Sequence, residues 1–404
     1  MRIMKADERV KRRHRTQIPE EIEKNEELKE AIGKSLPKNY RFEVEKTLWR
    51  LRQIEASRVA LQFPEGLLMY GNALAQILRK FHNKKLRVYI LGETTYGACC
   101  VDDLSAKALN CELLVHYGHS CLVPNQITTN IKMLYIFVDI EFDVSHLVDS
   151  CLLEFQKNKM NQMAIAGTVQ FLRSINRAAT QLKAALPNNQ IHIPQAFPLS
   201  SGEVLGCTAP DMSAYDTIVF VADGRFHLEA AMIKNPYARF LRYDPYLKRF
   251  SQEKYNRNLM AQRRQAAVEK ARTASAVAIV LGTLGRQGSP AILARLQALL
   301  QNKVKLLILL ASEIHISHFS HLTADGDIQA IIQICCPRLS IDWGHDALRH
   351  RNIPLLSPYE AFAAFDSSVD FAPQTNYPMD FYARQGGPWS NYYSPPSPLT
   401  SSSS

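Results

Sequence analysis

The stretch Val59-Ala60-Leu61-Gln62-Phe63-Pro64-Glu65-Gly66 decides the fold. A short aliphatic run that ends in a turn at Phe-Pro reads as a buried strand. The pattern that follows over 66–80 has helical periodicity. The same succession recurs at Met163-Ala164-Ile165-Ala166-Gly167-Thr168 and at Val277-Ala278-Ile279-Val280-Leu281-Gly282-Thr283. The starts lie roughly 110 residues apart, an ordinary domain size, which predicts three related domains.

Between these openings the chain alternates short β-branched or aliphatic runs with longer helical patterns, the signature of parallel α/β units. Further strands are predicted over 86–91, 113–116, 133–138, 191–193, 217–221, 305–310 and 330–334. Helices are predicted over 145–157, 171–186, 251–272, 289–300 and 359–364. The resulting division is a charged N-terminal extension at 1–40, α/β domains at 41–158, 159–273 and 274–385, and a disordered tail at 386–404. That tail is rich in Gly, Pro and Ser, a composition that builds no core.

With 404 residues, 46% of them hydrophobic and 21% charged, the chain has enough apolar material for several cores. Its net charge of +10 points to an acidic partner such as nucleic acid or an RNA-bound protein, although part of the excess sits in Lys11-Arg12-Arg13-His14-Arg15. That run reads either as a solvated N-terminus or as a nuclear or RNA-touching arm. No apolar stretch reaches the length of a membrane span, and no secretory h-region follows the N-terminus. A cytoplasmic protein with reduced thiols is expected, with a nuclear pool only if the basic run acts as a signal.

The chain has eight cysteines. Cys99 follows the strand at 86–91, Cys207 belongs to the second domain and Cys336 to the third. Each is expected in a loop near the carboxyl ends of its own sheet, where α/β sheets bind ligands. No C-x-x-C pair occurs, so zinc-ribbon and ferredoxin spacings are absent. By spacing alone these are either inert buried thiols or three ligands of one metal site, an iron-sulfur cluster with one open iron or a zinc with a bound water.

The stretches Thr95-Tyr96-Gly97-Ala98-Cys99-Cys100-Val101-Asp102-Asp103, Gly202-Glu203-Val204-Leu205-Gly206-Cys207-Thr208 and Cys336-Pro337-Arg338-Leu339-Ser340-Ile341-Asp342-Trp343-Gly344 resemble the three cysteine motifs of the diphthamide synthesis family. So do the stretches from Tyr117 to Pro124, from Asp223 to Glu229 and from Tyr377 to Tyr382. The resemblance implies three related parallel-sheet α/β domains in pseudo-threefold arrangement around a central [4Fe-4S] cluster, each giving one cysteine. It implies Cys99, Cys207 and Cys336 as the ligands, chosen over the neighbours Cys100 and Cys335 by the motif frames. The implied reaction cleaves S-adenosylmethionine and transfers its 3-amino-3-carboxypropyl group, as a radical, to C2 of a histidine in elongation factor 2. Implied partners are a paralogous second subunit in a heterodimer and a small electron-donor third subunit, with no membrane and no direct nucleic-acid contact. The rivals are a zinc- or cysteine-dependent transferase and a non-catalytic scaffold subunit.

Other residues carry two readings each. Gly282-Thr283-Leu284-Gly285-Arg286-Gln287-Gly288-Ser289-Pro290 lacks P-loop and dinucleotide spacings, so Gly285 and Arg286 either hold an anion such as the substrate carboxylate or form a plain turn. Ser289 is a predicted N-cap with Pro290 at the first helical position. Asp102 and Asp103 either act on the cofactor or cap a helix, and Arg338 either grips a carboxylate or makes a structural salt bridge. His315, His318 and His321 read as a packed or solvated helix face, and His116 and His119 flank a strand end near the presumed cleft. Cys111, Cys121 and Cys151 read as core or near-core thiols.

Overall fold

The computed structural model describes residues 17–93, 95–123, 128–158, 162–188, 190–345, 352–373, 377–382 and 386–394. The basic run at 11–15, Pro124 and residues 395–404 of the tail lie outside the described residues. The chain divides into two compact units, one ending at Glu141 and the other beginning at Phe142.

The first unit contains β1 (Tyr40–Arg41), β2 (Arg58–Gln62), β3 (Arg87–Leu91), β4 (Leu113–Tyr117), β5 (Lys132–Ile136) and β6 (Asp139–Ile140). Four of these form one parallel sheet in the order β3-β2-β4-β5, while β1 and β6 make a small antiparallel ribbon. All five residues of β4 are buried, as a strand covered on both faces requires. The expected N-terminal extension is folded from residue 17. Helices Glu20–Glu23 and Glu26–Ser35 bury Ile22 and Leu28 in the same core as Leu48 and Leu51 of helix Val44–Gln53. The Asn25 side chain caps the second of these helices by accepting from the Leu28 amide. The charge that dominates this segment lies on its outer faces, which is why composition alone reads it as solvated.

The second unit contains β7 (Gln162–Gly167), β8 (Gln190–His192), β9 (Thr217–Val221), β10 (Arg239–Asp244) and β11 (Arg249–Glu253), then β12 (Ala276–Gly282), β13 (Lys305–Ala311), β14 (Ala330–Ile334) and β15 (Leu355–Leu356). Its two sheets run β11-β10-β9-β7-β8 and β13-β12-β14-β15. Every pairing is parallel except β10 with β11. The predicted helix over 251–272 is shorter, Arg257–Ala271, because residues 249–253 pair with β10 and the Asn256 side chain caps the helix start by accepting from the Leu259 amide.

All three sheets share one order, second strand, first, third, fourth, so the repeat read from three strand openings is a repeat of topology. Two further boundaries differ from those expected. Helix Ser145–Asn158 packs on helix Leu172–Ala185 of the second unit rather than closing the first. Residues 386–394 of the expected disordered tail are packed: Arg295 donates to the carbonyls of Pro388 (2.8 Å) and Ser390 (2.7 Å), and the Trp389 ring meets Tyr359. One tryptophan over an apolar cluster anchors a segment whose Gly and Pro content offers no periodic signal.

Candidate metal centre

Each sheet ends its first strand on a residue that touches a cysteine loop. In the first unit Gln62 donates through Nε2 to the Cys100 carbonyl (2.8 Å) and accepts at Oε1 from the Asp102 amide (3.2 Å). In the second sheet the Gly167 amide donates to the Gly202 carbonyl (2.8 Å) and its carbonyl accepts from Val204 (3.0 Å). In the third, a Cβ on Gly282 would lie 2.6 Å from the Cβ of Cys335, so only glycine lets the loop approach. All three loops thus lie at the carboxyl edge of their sheets, where ligands bind in this architecture. Their chain positions are not equivalent, since Cys99 and Cys207 follow second strands and Cys336 follows a third.

Local burial separates each cysteine pair. Cys99, on the 3-10 turn Ala98–Cys100, is half-buried and Cys100 fully buried. Cys336 is half-buried, while Cys335 is buried with its Sγ donating to Gln333 Oε1 at 2.7 Å. In both pairs the residue chosen from the motif frame is the more accessible one.

Within the second unit Cys207 and Cys336 come into electrostatic reach of each other. Burial, then Asp380, then Cys336 push the Cys207 thiol up, against smaller opposing effects of the Thr208 hydroxyl and Arg338. The hydroxyl lies 3.6 Å from Cys207 Sγ. Cys207 is half-buried, and a partly desolvated thiol beside negative groups keeps its proton unless a metal cation supplies the missing charge. Soft thiolate donors of this kind suit iron-sulfur or zinc chemistry.

Arg338 joins the two loops. Its Nη1 donates to the carbonyls of Phe226 (2.7 Å) and Gly206 (3.4 Å), its Nη2 to Glu229 (2.8 Å) and Asp342 (3.1 Å), and its Nε to Asp342 (3.2 Å). The guanidinium carbon also sits 4.4 Å from the Phe226 ring centroid. All five N-H groups are directed at protein acceptors, so Arg338 is a structural clamp rather than a carboxylate grip. A Cβ on Gly206 would collide with the Phe226 ring, so glycine lets that ring cover the residue before Cys207. Burial first and Arg338 second lower neighbouring His227 to about 4, which keeps it neutral.

A second arginine holds the helix that follows Cys336. Arg264 donates to the Ser340 carbonyl (2.7 Å) in helix Arg338–Trp343 and to the Leu355 carbonyl (2.6 Å), and forms a two-pronged ion pair with Glu360. Gln333 Nε2 ties the same helix by donating to the Cys336 carbonyl and Ser340 Oγ, each at 3.0 Å.

The remaining expectations fall as follows. Asp102 caps helix Asp103–Ala108 by accepting from the Ser105 amide (2.9 Å), and buried Asp103 accepts from the Thr129 amide (2.6 Å). Both carboxylates therefore serve the local fold. Gly285 has φ +54, a turn conformation, and the Arg286 carbonyl accepts from the Tyr382 hydroxyl (2.8 Å), which ties the loop to the late Tyr377–Tyr382 motif. Ser289 caps helix Pro290–Leu300 as predicted. His315 caps helix Ile316–Leu322 by accepting from the Ser317 amide, and the His318 side chain lies outside the described residues. His116 and His119 are both buried and bonded to each other at 3.2 Å. Cys111 and Cys151 are buried, whereas Cys121 is exposed between the buried residues Ser120 and Leu122. Sequence reasoning missed Gln62, Arg264 and Glu360; a polar residue at the end of an apolar run was the only available signal, and it pointed to Gln62 alone. Among the described residues no group of three or more His, Cys, Asp and Glu side chains is close enough to hold a metal ion. The Cys207 and Cys336 pair therefore needs a further donor.

Comparisons with known proteins agree with the family resemblance. Residues 63–375 match a family described as putative diphthamide synthesis protein. The chain is similar to 2-(3-amino-3-carboxypropyl)histidine synthase subunit 1 of Nematostella vectensis, with 49% identity over 91% of this chain and 75% of that protein. Against the subunit of the same name in Gallus gallus the identity is 47% over 94% of this chain and 90% of the relative. Among solved structures, Dph2 from Pyrococcus horikoshii with a 4Fe-4S cluster shares the fold, with TM-score 0.66 and 22% identity, covering 84% of this chain and 93% of that one.

Proposed function

The chain belongs to the diphthamide synthesis family, in its branch of 2-(3-amino-3-carboxypropyl)histidine synthase enzymes, and from that membership we propose that it holds a [4Fe-4S] cluster on Cys99, Cys207 and Cys336. In this reading it transfers the 3-amino-3-carboxypropyl group of S-adenosylmethionine to a histidine of elongation factor 2, the first step of diphthamide formation. The observation that carries the reading is the Arg338 bridge: the side chain two residues after Cys336 donates to the carbonyl of Gly206, the residue before Cys207. A cluster held by these three thiolates would supply the electron that opens the carbon-sulfur bond of the substrate.

The chain's own residues do the positioning. Gly167, Gly282 and Gln62 bring the cysteine loops to the sheet edges, Arg338 fixes the Cys207 and Cys336 loops to each other, and Phe226 shields the backbone at Gly206. Glu229 and Asp342 neutralise the clamp without spending a thiolate. Gly285 and Arg286 are proposed to face the substrate carboxylate, on a loop held by Tyr382. The partners proposed are a paralogous second subunit, a small electron-donor subunit and elongation factor 2. The net charge of +10 favours association with an acidic, ribosome-associated target in the cytoplasm. Among the described residues no helix is long and apolar enough to cross a membrane.

The test is anaerobic reconstitution with iron and sulfide, followed by S-adenosylmethionine, reductant, the second subunit and elongation factor 2. Methylthioadenosine should form, and Cys99→Ala, Cys207→Ala and Cys336→Ala should each lose iron and activity while Cys100→Ala and Cys335→Ala keep iron. A colourless protein without iron, or undiminished product in the three ligand variants, refutes the proposal.

A further inference from the structure

The loop that carries Cys99 rests on a buried polar chain whose hydrogens are fixed by its own neighbours. Gln62, the last residue of β2, lies beside His116 of β4 in the sheet register and is 1% exposed. Its Nε2 faces the Cys100 carbonyl at 2.8 Å and its Oε1 faces the Asp102 amide at 3.2 Å. Flipping the amide would set acceptor against acceptor at Cys100 and donor against donor at Asp102, so one orientation is possible. His116 Nδ1, 2.9 Å from Gln62 Oε1, must then carry a hydrogen. Burial, with a smaller contribution from His119, holds His116 well below the usual histidine range, so the ring is neutral and its Nε2 is bare. His119 Nδ1, 3.2 Å away, is therefore the donor to that nitrogen. From His119 to Cys100 each hydrogen bond dictates the direction of the next.

We propose that Gln62, held in this orientation by His116 and His119, is the positioning residue that sets the Cys99 turn in its cluster-binding form. The inference rests on Cys99 being a cluster ligand. It goes further by giving a role to a glutamine and two histidines that the cysteine motifs do not contain. A glycine does the equivalent work in the other two sheets by letting backbone approach. The first sheet uses a side chain instead, and a side chain keeps its direction only if its partners fix it. The 3-10 turn at Ala98–Cys100 is too short to hold its own geometry.

The test uses the full chain, reconstituted anaerobically with iron and sulfide, and reads three quantities: iron release to a chelator, the electron paramagnetic resonance spectrum after reduction, and the melting temperature of the metal-free protein. Gln62→Met keeps the length but has neither a donor for the Cys100 carbonyl nor an oxygen for the Asp102 amide. It should release iron about tenfold faster or more and shift the spectrum, as the loss of even one buried hydrogen bond predicts. His116→Phe should behave in the same way, and His116→Gln, whose amide can donate to Gln62, should recover most of the wild-type retention. A purely packing role would not separate these two His116 variants by spectrum. Wild-type iron release and spectrum in Gln62→Met and His116→Phe, with iron lost in Cys99→Ala, overturn the inference alone. Wild-type iron in Cys99→Ala overturns the ligand assignment beneath it. If Gln62→Met does not fold, the His116 pair decides.

Discussion

Replacing Arg264 by methionine tests how the third cysteine loop is held. Arg264 and Glu360 are 2% and 0% exposed in their side chains and meet through two hydrogen bonds of 2.5 and 2.8 Å. Glu360 also accepts from the Tyr377 hydroxyl (2.6 Å) and the Ser357 amide (2.8 Å), closing a capping box at helix Pro358–Phe365. Arg264→Met leaves that carboxylate buried without its cation and removes the guanidinium donors to the carbonyls of Ser340 and Leu355. Removing one partner of a buried pair costs about 3–5 kcal/mol, more than the pair adds over an apolar replacement. For a unit of this size the loss lowers the melting temperature by roughly 10 °C. The assay is calorimetry of wild type, Arg264→Met, Glu360→Leu and the double variant, following the transition of the second unit. The double variant should be less destabilised than the sum of the singles by about 2–3 kcal/mol, the coupling expected of groups that share one network. A shift below about 1 kcal/mol in Arg264→Met, or additive behaviour, would refute the account of Ser340 and the Cys336 helix as anchored by this pair.

Other expectations follow from the same geometry. Arg338→Lys keeps the charge but not the fork that spans Glu229, Asp342 and two carbonyls, so stability should fall by about 2–3 kcal/mol and Cys207 should react faster with a thiol reagent; unchanged labelling would count against the clamp. His116 has its folded value lowered by burial, so the unfolded chain binds the proton first as pH falls. Stability of the first unit should be fully present above about pH 6.5 and drop below it at up to about 1.4 kcal/mol per pH unit, with a flatter slope in His116→Gln. Gly288→Ala would drive a Cβ into the Gly282 carbonyl and the Leu281 side chain, costing about 1–3 kcal/mol or more, read as a lower melting temperature.

Strands were legible in the sequence where burial on both faces leaves an unbroken apolar run. All ten predicted strands exist, with ends moved by a residue or two, because a run such as Leu113-Leu114-Val115 has no other way to hide. Strands β10 and β11 escaped notice because Arg239, Arg242, Arg249 and Glu253 interrupt their apolar pattern, and those charges are compensated by partners distant in sequence, as when Arg239 pairs with Glu154. Helix Phe226–Lys234 begins inside the Asp223 to Glu229 stretch, which the sequence offers only as part of the family resemblance.

The sequence by itself determined the α/β class, the three repeated strand openings and the frames in which Cys99, Cys207 and Cys336 stand, since these depend on local periodicity and on contiguous motifs. Only the tertiary structure decided which member of each cysteine pair is accessible, and that Arg338 spends its donors on Glu229, Asp342 and the backbone of the Cys207 and Phe226 loops. It also decided that Gln62 takes its direction from His116. These are contacts between residues far apart in the chain, and their hydrogen-bond directions are set by neighbours that no local pattern specifies.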